Sequence, residues 1–218
     1  MHVDPGEARS AFLGQMDLLI GTAAGLSDEA LLAPSRCTGW TVSEALVHVH
    51  QGLQEMLLGC VSHTDAPPDT DAASYWRDFT PTGTPDIAGI QFVRRVAAAY
   101  ERPSAVLKHL TPTIDGVRAA VLTFTPSAVR FQGHVLPWGD FLATWAVELA
   151  VHHLDITTSP PHTPALLLAR RTVETLAGAP LPPTWPDETV VLLGTGRVSP
   201  TPAQRAESPA VARLPVLG

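Results

Sequence analysis

The run Glu148-Leu149-Ala150-Val151-His152-His153-Leu154-Asp155 concentrates more chemically capable side chains than any other part of the chain. On a helix, at about 100° per residue, Glu148 and His152 lie about 40° apart and Asp155 about 20° to the other side of Glu148, so the three share one stripe. His153 does not share it. A carboxylate and an imidazole one turn apart form a two-ligand half-site for a divalent metal, and each is expensive to hold near a core unless paired. A third ligand must come from another element. Asp155, one turn beyond His152, is suited to orient an imidazole by hydrogen bonding.

The pair His48-Val49-His50 offers two candidates for that third ligand, and only one can face a given site. Against the apolar stripe of its helix, His48 falls about 120° off centre and His50 about 80° off on the opposite side, so periodicity slightly favours His50 as the inward residue. The offset of His48, however, repeats that of Glu148. Both stay open at this level. The same residues also fit plainer roles, the Glu/His pair as a solvated surface pair and either lone histidine as a partly buried one. His63, His109, His134 and His162 fall in loops or near helix ends and receive no role. Cys37 and Cys60 form no CxxC pair and are expected as free, largely buried thiols.

These residues need elements to position them. Residues 7 to 24 place Phe12, Met16, Leu19 and Ile20 at helical spacing. Thr41-Val42-Ser43-Glu44 reads as a capping box that starts a second helix, which runs through Gly59. Residues 62 to 87 have no period and are expected as a loop, with one turn around Tyr75-Trp76. A third helix is expected over Ile87 to Leu110, kinked or split by Pro103. Ala119 to Thr125 and Ala128 to Leu136, rich in β-branched and aromatic residues, are expected to pair as a hairpin. A fourth helix runs from Trp138 to about Thr157 and stops at Ser159-Pro160-Pro161, and a fifth covers 164 to 178. Thr189 to Gly194 and Val211 to Leu217 are expected as short strands. The fold class is therefore mainly α, a bundle of four principal helices with a small α+β appendage at the C-terminus.

Composition narrows the partners. The 218 residues are 45% apolar, enough for one sizeable core, and no run approaches the roughly 20 apolar residues of a membrane span. With 21 acidic against 14 basic residues, the charge of -7 gives no electrostatic footprint for nucleic acid or an anionic membrane. The N-terminus lacks the basic and apolar regions of a secretory signal, so a cytoplasmic location and small-molecule partners are expected. Oligomeric state has no signature here.

Two segments resemble a known pattern. Cys37-Thr38-Gly39-Trp40-Thr41-Val42, followed by His48, resembles the G-W-T-V-x5-H segment of the DinB-like superfamily, specifically proteins related to mycothiol-dependent maleylpyruvate isomerase. Glu148 to Ile156 is similar to that family's E-x3-H-H-x-D segment. The resemblance implies a DinB-like metal-binding four-helix bundle over 1–158, with a small α+β extension over 159–218. It implies His48, Glu148 and His152 as ligands of a divalent metal, usually zinc, and so favours His48 over His50. It further implies mycothiol or a similar low-molecular-weight thiol as cosubstrate, used by an isomerase or S-transferase of actinobacterial type on a small electrophile. A metal-activated water acting as a hydrolase and a non-catalytic metal-binding stress or partner-binding protein are the alternatives. Relatives often carry Arg three residues before the Glu, where this chain has Trp145. Arg197 and Arg205 are the basic residues available at the C-terminus for a thiol.

Overall fold

A computed structural model describes residues 1–79, 81 and 86–217. Four long helices dominate. Asp4 caps α1 (Pro5–Ala24) by accepting from the Gly6 and Glu7 amides, and Pro5 supplies the preset first-turn φ. After the short α2 (Asp28–Leu32), α3 (Val42–Val61) begins on the capping box: the Glu44 amide donates to Thr41 Oγ1 at 3.3 Å, and Glu44 returns a carboxylate to the Thr41 amide at 2.8 Å.

The segment expected as one helix over Ile87 to Leu110 is split, as Pro103 required. It forms α4 (Ile87–Ala98), a 3-10 turn at Pro103–Val106, and α5 (Leu107–Thr123). This last helix corrects the expected hairpin, because it absorbs most of Ala119 to Thr125. Val117, Ala120 and Val121 recur on one face there and are buried against the bundle, and that tertiary burial outweighs the modest strand preference of β-branched residues. The hairpin lies wholly within the next segment, as β2 (Ala128–Phe131) and β3 (His134–Pro137). Its two-residue turn is Gln132-Gly133, both at positive φ (48° and 86°), the conformation a tight hairpin demands. A two-residue β1 (His63–Thr64) adds antiparallel to β2, giving sheet order β1-β2-β3. The expected turn at Tyr75-Trp76 is a 3-10 helix, Ser74–Phe79. Residues 80 and 82–85 of the expected loop lie outside the described residues.

Directly after β3 comes α6 (Trp138–Ile156), the centre of the molecule. It packs on α1 most extensively, and also on α3, α7 (Thr163–Ala177) and the hairpin. Every residue of α6 is buried except Glu148. Phe12, Met16 and Leu19 of α1 join Phe141, Leu142 and Leu149 in the main core, each such side chain contributing roughly 1.5–3 kcal/mol on burial.

The C-terminal segment departs from expectation at two elements. Thr189 to Gly194 belongs to a helix, α8 (Asp187–Gly194), and Val211 to Leu217 starts in a 3-10 turn (Pro209–Arg213) and continues as irregular chain. Val190 and Leu193, three residues apart, share a helix face, and with Val211 they pack with Val173, Leu181 and Trp185 in a second small apolar cluster, a burial that outweighs the strand preference of the β-branched residues. A short α9 (Pro202–Glu207) lies between them. The Arg170 guanidinium ties the segment to α7 through Glu174, Asp187 and the carbonyls of Leu181, Pro182 and Trp185. The mainly α class holds, with the small sheet set beside the bundle.

Candidate metal centre

His48 on α3 and Glu148 on α6, a hundred positions apart in the chain, meet side by side. The Nε2 atoms of His48 and His152 each stand 3.2 Å from Oε1 of Glu148. One potential ligand atom from each of the three residues lies within 4.8 Å of the other two, and the imidazole rings of His48 and His152 are 4.8 Å apart. Trp40 leans on His48 from the cleft side at 5.0 Å. His50 is the more buried histidine, as its periodicity indicated, but it faces the opposite flank. There its Nε2 pairs with Thr113 Oγ1 on α5 at 3.1 Å.

Asp155 completes the group. Its Oδ2 lies 3.0 Å from His152 Nδ1, so the imidazole donates Nδ1–H to the carboxylate and turns Nε2 toward Glu148 and His48. The same carboxylate takes the Arg197 guanidinium, with Nη2 at 3.1 Å and Nε at 3.2 Å. No local pattern links residues 155 and 197, and Arg197 had been singled out only as a basic residue near the C-terminus. Arg36, also unmarked in the sequence, closes the end of α6 by donating to the carbonyls of Leu154 and Thr157. Arg205 sits exposed on α9, apart from the centre.

The electrostatics follow from this crowding. Burial pushes the Glu148 carboxyl up, but the charge and hydrogen bond of His152, together with His48, outweigh it and hold the group well below the usual carboxylate range. Burial alone would lower His152. The Glu148 charge and the bonds to Asp155 and Glu148 instead raise it to about 9. Asp155 is likewise depressed: burial opposes this, and the His152 hydrogen bond and Arg197 prevail.

Two imidazole nitrogens directed at one carboxylate oxygen are held together either by shared protons or by a cation, and a divalent cation satisfies all three ligand atoms at once. Two nitrogens and one oxygen suit zinc or another borderline divalent metal better than calcium or magnesium. The Asp155 charge is balanced by Arg197, so the donor set with a divalent cation would carry a net charge near +1 and would favour an anionic ligand.

A family model described as the mycothiol maleylpyruvate isomerase N-terminal domain matches residues 13–157. The chain belongs to this family. The matched span contains His48, Glu148, His152 and Asp155, whereas Arg197 lies beyond it. Searches of curated proteins and of solved structures returned no match. No helix among the described residues is long and apolar enough to cross a membrane.

Two spaces adjoin the centre and share His48, Gly52 and Glu55. A cleft of about 780 Å³ runs from His48 past Arg36, Cys37 and Arg197 to an apolar wall on α4 that includes Ile90 and Phe92. On the other side, a chamber of about 160 Å³ reaches Glu148 between Tyr75, Trp76 and Trp145.

Proposed function

We propose that His48, Glu148 and His152 hold a divalent metal, with zinc the best fit, and that the protein uses it to activate a low-molecular-weight thiol of the mycothiol type against a small electrophile. The observation that carries this reading is the convergence of three ligand atoms from two helices at the edge of a large cleft. With only three protein ligands, a divalent metal held there could also bind a thiol, and it would favour thiolate over thiol, supplying a strong nucleophile at neutral pH.

The chain's own residues do the rest. Asp155 fixes the His152 tautomer, and Arg197 holds Asp155. The wide cleft, with Arg36 and Arg197 on one wall, suits the polar body of the thiol. The thiol proton leaves to solvent, and thiolate sulfur adds to a conjugated carbon while the π pair moves onto the carbonyl oxygen. Rotation about the resulting single bond and expulsion of thiolate restore the double bond in the other geometry, with no net change in composition. If the carbon carries a leaving group, that group departs with its bonding pair and the outcome is S-transfer.

Cysteine 37 does not fill the nucleophile's place. Burial pushes its thiol up to about 11, against the pull of Arg197. Cobalt-substituted protein tests the reading: adding a low-molecular-weight thiol is expected to produce a thiolate-to-cobalt charge-transfer band that the His48→Ala variant lacks. A spectrum indifferent to thiol, with ester hydrolysis that needs no thiol, would replace it with a metal-dependent hydrolase.

A further inference from the structure

Four aromatic side chains wall the chamber beside Glu148. Tyr75, Trp76, Phe79 and Trp145 line it. Their rings are fixed by mutual contact, Tyr75 against Trp76 at 5.4 Å and against Phe79 at 5.3 Å, while Phe131 braces Trp145 at 5.8 Å. Its volume of about 160 Å³ matches an apolar cavity that accepts benzene.

The polar groups in it are mostly engaged already. Tyr75 O–H donates to Gln132 Oε1 at 2.7 Å, and Gln132 Nε2 donates to Glu55 Oε2 at 2.8 Å. Thr144 Oγ1 donates to the Phe141 carbonyl at 2.8 Å. The left-handed turn at Gln132 lets the hairpin bring that amide over the chamber. The indole N–H groups of Trp76 and Trp145 are enclosed behind the rings that line the chamber and have no hydrogen-bond partner among the described residues.

The charged side chains of the lining limit what the occupant can be. No lysine or arginine lines the chamber among the described residues, and the carboxylate left there once Glu148 is committed to a metal is Glu55. A second carboxylate set among these rings would lie beside Glu55 with no lysine or arginine to pair it.

We infer that this chamber is the subsite for the electrophile, and that it selects an uncharged, planar, conjugated carbonyl compound of about one aromatic ring while rejecting dicarboxylates. The inference rests on the thiol-using reading above, and the geometry divides the labour. Thiol enters from the wide cleft, the electrophile occupies the aromatic chamber, and His48, Gly52 and Glu55 form the boundary. Gly52, one turn after His48, is what lets Trp145 reach across: an added Cβ would meet its ring at 3.2 Å.

The test is a titration of chelator-treated, metal-free protein with acetophenone, a neutral planar ketone that does not react with thiols, and separately with maleate. Indole N–H signals of Trp76 and Trp145 are followed by NMR. Acetophenone is expected to shift both saturably, and maleate neither at tenfold higher concentration. Trp145→Leu and Gly52→Ala are each expected to weaken acetophenone binding about tenfold. The second variant preserves the fold if the first does not, since alanine favours the helix. Tighter binding of maleate, absent acetophenone binding, or affinity unchanged in both variants would overturn the assignment. Because no metal is present, an error in the metal site leaves acetophenone binding intact, and an error in the chamber leaves the metal content of the native protein intact.

Discussion

The carboxylate of Asp155 is shared between two partners, His152 Nδ1 at 3.0 Å and Arg197 Nη2 at 3.1 Å, so the C-terminal segment is tied to the candidate metal centre through one buried side chain. Asp155→Asn keeps the shape but removes the charge that favours the Nε2-directed tautomer. It is expected to weaken zinc binding about 10–100-fold, measured by chelator competition. Arg197→Met leaves the His152 bond in place and should lower metal affinity less, while reducing thermal stability, because Asp155 is then buried without its cation.

Metal binding is expected to be steeply pH-dependent. His152 titrates near 9 in the metal-free protein and must lose a proton to become a ligand. Apparent zinc affinity should therefore fall about tenfold for each pH unit below roughly 9 through this group alone. Calorimetry in buffers of different ionisation enthalpy reads the released proton directly. Stability of the metal-free protein runs the other way: the raised His152 contributes fully below about 6.5 and loses that contribution as pH rises through about 9, whereas the depressed Glu148 contributes above about 4.5 and loses it in stronger acid. Removing metal should thus cost least stability in the mildly acidic range, measured by thermal unfolding across pH.

Thiol labelling separates the protein's own sulfur from the proposed cosubstrate's. Cys37 is raised to about 11 and Cys60 to about 12, chiefly by burial. Neither is expected to react with iodoacetamide at pH 8 within the time that denatured protein labels fully, as mass spectrometry would show. Fast labelling of Cys37 would instead make it a nucleophile in its own right.

Gly139 tests the framework behind the site. It lies in the first turn of α6, where an added Cβ would collide with the Val3 carbonyl oxygen and the Pro5 nitrogen. Beside it, Asp140 accepts from the Val3 amide at 2.8 Å, so the N-terminal strand of chain is pinned to α6 at this point. Gly139→Ala forces backbone apart rather than a side chain, and a loss of about 2–3 kcal/mol in stability is expected by denaturant unfolding.

Much of the site could be read from residue order, and the failures have physical causes. Thr41 and Glu44 announced the start of α3 because a capping box is a local bond pattern. Glu148, His152 and Asp155 came out together because one turn of helix sets their spacing. Choosing His48 over His50 needed the family resemblance: burial favours His50, and only tertiary packing shows that its flank faces α5. α6 is enclosed on nearly all sides and so has no outward stripe to read, and Glu148 is its least buried residue because the aromatic chamber opens there. Ala119 to Thr125 and Thr189 to Gly194 were expected as strands on β-branched content, and helix packing overrode it. Arg197 and Gln132 reach their places through long-range contacts that leave no trace in local spacing.

Metal content is the most direct measurement. Protein prepared without a histidine tag should carry close to one zinc, or equivalent divalent metal, per chain, and Glu148→Ala should carry little while keeping its helical circular dichroism. Equal metal in both proteins, or none in either after reconstitution with excess zinc, would contradict a metal held by His48, Glu148 and His152.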